Sequence, residues 1–487
     1  MRKRFEQQTE LGMLLIQDTV IPLKCRDSLI DLLAALKEIF VREEYNEQVF
    51  SILEKTLLAN KKATGRRGMD LWQIFVLSQI RLCIDASYDR IHYISNHDKL
   101  ARQIMGIEKE SSFPQIQYEY QNIYDNVTLL DDQTVKQLND VIVSFGHEIF
   151  KKKDLAPLQL KTDSYAVESN VHFPTDYNLL WDCARKCLDG FEKYVKKHNV
   201  NGWRKLKNWR YEIKGLMREV GKTSASGGKN KDERLKKAAE NYLTKARTLL
   251  AKIEKELPMM PLNDFADFEI YCTIEHFLNL MKFHIDIVNR RIIKGEKIPH
   301  EEKMMSVFET YTEMIIKGKS RPNVELGLKL AITTDQYNLI LDFEIMQQKG
   351  DRDIVIELAD RLLNRYKEIE SWSFDKGYWN KDNKALLELE IKHVVLPKLG
   401  KKSEDELKKE SSSKFKKLKN KHSAIESNIN ELENRGLNRC PDRGFANFSR
   451  YISLGVCAYN LKKIGHELLE QKRKQIGSVH RQIKKAA

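Results

Sequence analysis

Cysteine is scarce in this chain of 487 residues, and its few copies do not pair by spacing. Cys25, Cys83, Cys183, Cys187, Cys272, Cys440 and Cys457 are odd in number and scattered, with no CxxC. That excludes a disulfide framework or a zinc ribbon and points to a reducing compartment. Cys183 and Cys187 stand one helical turn apart, but two soft ligands without a third read as core residues. Long apolar runs are missing too. The most apolar stretch, residues 71–84, contains Gln73, Gln79 and Arg81 and is too short to cross a bilayer. The opening MRKRFEQQTE leads into no apolar segment of a signal peptide. The expectation is a cytoplasmic, nucleoid-associated protein with no membrane partner. GxSxG, GxGxxG and the P-loop pattern are also absent, so nothing points to a Ser, Cys or His nucleophile or to a glycine-rich phosphate loop.

What is present is charge. Lys plus Arg number 84 against 70 Asp plus Glu, a net +14 that favours polyanionic partners, nucleic acid first. Hydrophobic residues at 41% and charged residues at 32% fit a folded chain with a large wet surface. Between Lys193 and Lys237 fifteen Lys or Arg face four Asp or Glu. The loop TSASGGKN at 223–230 divides this block into two helical arms, the first carrying Trp203, Arg204, Lys205, Lys207, Trp209 and Arg210. Such arms can grip DNA backbone and unstacked bases; the other reading is a solvated face whose aromatics are buried against the second arm. Residues 1–60 read as helix, followed by a polar break at 60–70 and short helices with Asp85, Ser87 and Asn96 as N-cap candidates. With Arg66, Arg67, Arg90 and Arg102 around them, these suit a helix-turn-helix-like DNA reader, or else a helical packing module with a solvated basic face.

The period changes from helical to two at PLQLKTDSYAV, residues 157–167, which places Asp163 inside a strand, where aspartate is disfavoured. A long helical stretch follows. Strands return as a hairpin from 324, then a helix, then IESWSFD with Asp375 at a strand end, a helix at 382–390 and a short strand at 393–397. A lysine-rich connector, expected to be mobile or solvated, leads to KHSAIESNINELEN at 421–434. There His422, Glu426, Asn430 and Glu433 share one helical face and Ile425, Ile429 and Leu432 another. A carboxylate on a packed helix offers one oxygen ligand to a hard cation and needs carboxylate partners. Asp163, Asp375 and Glu426 supply three, in the element order of an RNase H-like fold split by an insertion. Glu168, Asp176, Glu431, Glu433 and Asp442 are nearby alternatives.

These blocks carry a family resemblance. KTDSYAVESNVHFPTDYNLLWDCAR, IIKGKSRPNVELGLKLAITTDQYNLILD, SFDKGYWN, VVLPKLGKKSEDE and HSAIESNINELENRGLNRCPDRG, in this order, resemble DDE transposases of bacterial insertion sequences, especially the ISNCY-type group. GRRGMDLWQIFVLSQIRLC is similar to the N-terminal region of such enzymes. The resemblance implies Asp163, Asp375 and Glu426 as catalytic metal ligands for two Mg²⁺ ions, with Mn²⁺ as a substitute. His422 and Asn430 would orient Glu426 or approach the scissile phosphate, or else simply cap and solvate the helix. A related transposase group sets Tyr, Arg and Lys around its glutamate; here those positions hold Lys419, His422 and Glu433, so that signature is absent. Implied partners are double-stranded DNA, both terminal inverted repeats and target, bound by a homodimer. A catalytically inactive end-binding repressor and a two-metal nuclease are the alternatives.

The expected architecture is a multidomain α/β chain: an all-α DNA-binding region at 1–115, a helical linker at 116–155 and the first catalytic strand at 156–175. A basic helical insertion follows at 176–315, then the rest of an RNase H-like domain at 316–470 and a basic tail at 471–487.

Overall fold

Apolar alternation at four places in the sequence is realised in one mixed sheet. The computed structural model describes residues 4–5, 11–59, 68–150, 157–316 and 324–486. The strands are β1 (Leu158–Glu168), β2 (Glu313–Ile316), β3 (Val324–Thr334), β4 (Ile340–Met346), β5 (Ile369–Phe374) and β6 (His393–Val395). They lie in the order β2-β3-β1-β5-β6, with β4 also paired to β3. β1 is antiparallel to β3 and parallel to β5, and β6 is parallel to β5. β2 was not expected, because EMII carries no alternation to announce a strand.

The chain divides into two compact units, one made of Met1–Asn170 with Ile315–Ala487, the other of Val171–Met314. In the first, the helices Ser28–Val41, Leu71–Cys83 and Asp132–Phe150 all pack on the long helix Phe445–Ala486. Gly465 allows the closest of these approaches: a Cβ there would sit 1.7 Å from the Asp31 carbonyl oxygen. The long helix runs on through residues expected to form a separate basic tail.

Every residue of Leu71–Cys83 is buried, Gln73, Ser78, Gln79 and Arg81 included. Its start is fixed by a capping box between Asp70 and Gln73, and near its end Arg81 donates two hydrogen bonds to Asp442, at 2.9 and 2.7 Å. The next two helices begin at Ser87, as expected, and at Asp98 rather than Asn96.

The lysine-rich connector is two helices, Glu404–Ser411 and Ser413–His422, not a mobile link. Ser403 and Glu406 form a capping box, and Lys398 and Lys402 are paired with Glu406 and Glu410, so the lysines have local carboxylate partners.

The second unit is helical: Asp176–His198, Leu206–Ala225, Lys231–Glu256 and Phe265–Val288. The two arms flanking the 223–230 loop turn through Gly228 and Asn230, at φ 97° and 57°. Cys183 and Cys187 are buried in its core beside Tyr242 and Ile274, as core residues rather than ligands. Among the described residues no helix is long and apolar enough to cross a membrane.

Candidate functional site

Strand register brings the first two carboxylates together. Thr162 of β1 pairs with Phe374 of β5, so the next residues, Asp163 and Asp375, stand side by side where β5 ends. Alternation then puts Lys161, Asp163, Ser373 and Asp375 on one face, and Leu160, Thr162, Trp372 and Phe374 on the other. On that second face Trp372 Nε1 donates to Thr162 Oγ1 at 2.7 Å, and Thr162 and Thr333 share a 2.7 Å hydrogen bond, which pins β5, β1 and β3 in register.

The helix Ala424–Leu432 brings Glu426 to the first face. Ile425, Asn428 and Leu432 are its buried side. Asn428 is anchored by Tyr459, whose hydroxyl donates to Oδ1 at 3.0 Å, while its own amide donates to Asn338 Oδ1 at 3.3 Å. Glu426 is exposed, one position beyond that anchored side.

Electrostatics separate these carboxylates from their neighbours. Glu431, one turn on, is paired with Lys462, Lys463 and Arg435 and held down at about 2, burial notwithstanding, by the two lysines. Asp442 is taken by Arg81 and Asp176 by Arg291. Among the described residues Asp163, Asp375 and Glu426 make no ion pair. Burial pushes the Asp163 carboxyl up to about 6; the Ser164 amide, donating at 2.8 Å, opposes this, and Asp375, Asp351 and Glu426 add repulsion. Mutually repelling oxygen donors without a cation are the donor chemistry that suits Mg²⁺ or Mn²⁺. Among the described residues, however, no three His, Cys, Asp or Glu side chains form a ready-made metal cluster.

A fourth carboxylate, Asp351, escaped the sequence reading. It lies in the turn after β4, accepts from Ser164 Oγ at 2.7 Å and from Lys329 at 3.0 Å, and so braces the strand residue next to Asp163. Gly377 leaves it room: a Cβ there would lie 3.1 Å from Asp351 Oδ2. Its only sequence signal was the turn-rich KGDRD, common to many loops.

The supporting residues behave differently from one another. His422 ends the preceding helix, separated from the helix of Glu426 by Ser423. Its Nδ1 shares a 3.0 Å hydrogen bond with Ser373 Oγ, two residues before Asp375. Burial lowers its pKa while Asp375 raises it. Asn430, one turn after Glu426 on the same helix, lines a cleft with Asp27, Asp85 and Arg435.

The DNA-contact candidates divide in the same way. Arg66 and Arg67 lie outside the described residues. Arg90 is exposed, its guanidinium 5.3 Å from the Tyr93 ring centre. Arg102 is 2% exposed and is spent on Glu108, Gln115 and the carbonyls of Ser95 and Ile116, so it is a structural tie and not a DNA contact. Trp203 is 1% exposed and stacked on Phe191 at 4.3 Å, a core ring unavailable to a base. Arg210 is paired with Asp189 and Glu192. Arg204, Lys205 and Lys207 are exposed and make no ion pair among the described residues.

No curated protein and no solved structure matches the chain. Residues 298–461 match the family model described as a transposase DDE domain, a span that takes in Asp375 and Glu426 and begins after Asp163. This similarity supports a DDE transposase.

Proposed function

We propose that the chain is a transposase of a bacterial insertion sequence, of the ISNCY-type group, that cleaves DNA at the element's ends and transfers the freed 3′-hydroxyls to target DNA. The observation that carries this reading is the pairing of Asp163 with Asp375 on one face of the parallel β1–β5 pair, unneutralised, with Glu426 acting on the same group. The sheet order supports an RNase H-like catalytic domain interrupted by the helical unit.

Asp163, Asp375 and Glu426 would hold two divalent ions, which supply activation of the attacking oxygen and stabilisation of the leaving oxygen. The protein's own part is positional. The Ser164 amide and the Asp351–Ser164 hydrogen bond orient the Asp163 strand. Ser373 and His422 tie β5 to the helix ahead of Glu426, and Asn428 fixes that helix on the sheet. Asp375 and Glu426 are exposed, as a site for a polymeric substrate requires. Arg204, Lys205, Lys207 and Arg90 offer uncommitted cations for backbone phosphates. Two ends must be held at once, so the active species is a homodimer on DNA.

The test is strand cleavage and joining on a labelled duplex carrying the DNA that flanks the gene, with Mg²⁺, comparing the native chain with Glu426→Gln. Cleavage at a fixed position followed by joining, abolished by the substitution while binding survives, is expected. Cleavage without joining makes the chain a nuclease. Binding without any cleavage, even with Mn²⁺, overturns the enzyme and leaves an end-binding protein.

A further inference from the structure

On the same sheet face as Asp163, two residues earlier, Lys161 is 8% exposed. Its ammonium has one hydrogen bond, to Asn338 Oδ1 at 3.3 Å, and among the described residues no carboxylate within ion-pairing distance. Asp335 follows Thr334, the β3 partner of Lys161, but its carboxylate is engaged by His147 at 2.7 Å and by the amides of Tyr337 and Leu339. A buried cation left without a counter-charge costs several kcal/mol, so it is kept where an anion completes it.

The space for that anion is present. Lys161 opens into a cavity of about 390 Å³ between β1, β5 and the helices at 413–432. Gln159, Asn338, Ser373, Lys421 and Ser427 also line it, and its wall contains no Asp or Glu. Lys421 is held at the rim, its ammonium donating to Gln159 Oε1 at 3.1 Å. Two ammonium groups, four amides and four hydroxyls around one cavity are a donor-rich set suited to phosphate oxygens.

We infer that this cavity is a phosphate-binding site in which Lys161 is the buried counter-charge and Lys421 the rim contact. The phosphate is either a backbone group of bound DNA or that of a free anion. Only the first source rests on the transposase reading. The site differs from the carboxylate site in charge as well as position: one gathers cations, the other takes an anion.

The experiment uses the full chain in EDTA, so no cleavage is read and its outcome is independent of the nuclease assay. Thermal midpoints are measured in sodium phosphate and in sodium chloride at matched ionic strength, and affinity for a labelled duplex is measured across salt. Native protein should be stabilised by phosphate. Lys161→Met should be at least as stable as native in chloride and indifferent to phosphate, and Lys421→Ala, at an exposed position that leaves the fold intact, should show a reduced response. If the phosphate is DNA's, Lys161→Met also weakens duplex binding about tenfold and flattens its salt slope by about one. If it is a free anion, duplex affinity is unchanged while the phosphate response is lost. Equal phosphate responses from native and Lys161→Met overturn the inference. Should Lys161→Met fail to fold, an unaltered response in Lys421→Ala overturns it instead.

Discussion

Asp163 has a charge that its surroundings resist. Because burial and three other carboxylates raise its pKa to about 6, the native state binds a proton more readily than the unfolded chain between about pH 4 and pH 6. Stability should therefore fall as pH rises through that window, by up to about 2 kcal/mol in metal-free buffer. Asp163→Asn should remove this slope and raise the melting temperature near pH 7 while abolishing cleavage, a combination read by calorimetry and the strand assay together. The three proposed carboxylates each stand at a telling place in the sequence, inside a strand, at a strand end and on a helix stripe, and the strand register sets the first two side by side. For Arg102 and Trp203 the sequence left a DNA contact and a packing role both open, because nothing local shows that the one meets Glu108 and two carbonyls or that the other meets Phe191. Composition announces a cation or an aromatic ring; only tertiary packing says whether it is already occupied.

Elements were most legible where periodicity was strong and least where polar residues dominate. β1, β3, β4 and β5 follow their alternation, whereas the lysine-rich connector hid two helices because ion pairs and serine caps leave little hydrophobic signal. The helix Leu71–Cys83 shows the converse. Buried all round, it cannot lie in a DNA groove, whereas Tyr88–His97 exposes Arg90 and Tyr93. Its Arg81–Asp442 tie spans 361 positions and is nearly dry. Asp442→Asn should cost about 3–5 kcal/mol, because a buried guanidinium loses its counter-charge, and denaturant unfolding would measure it. In the helical unit, His284 on Phe265–Val288 is 1% exposed with neither ring nitrogen partnered, and burial lowers its pKa to about 4. It is neutral in the fold, so its stability contribution is full above about pH 6.5 and is lost as pH falls towards 4. The loss amounts to about 3 kcal/mol, and His284→Leu should flatten that part of the acid-unfolding curve.

For the whole molecule, the long helix Phe445–Ala486 is the common support of the N-terminal helices, the Asp132–Phe150 helix and, through Tyr459 and Asn428, the Glu426 segment. Gly465→Ala forces the Ser28–Val41 helix away from it and should destabilise the protein by about 3 kcal/mol, with lowered activity as a secondary effect. The expected bounds at 175 and 315 lie close to those of the helical unit, Val171–Met314, whereas those at 115, 155 and 470 follow composition, and contacts depend on which apolar faces meet. The account turns on whether Asp163, Asp375 and Glu426 act as one metal site, and the most direct measurement is Mn²⁺ binding to the full chain by electron paramagnetic resonance. Native protein should bind two ions with coupled spectra, and Asp163→Asn, Asp375→Asn and Glu426→Gln should each lose at least one. Variants that bind Mn²⁺ as the native chain does would contradict the account.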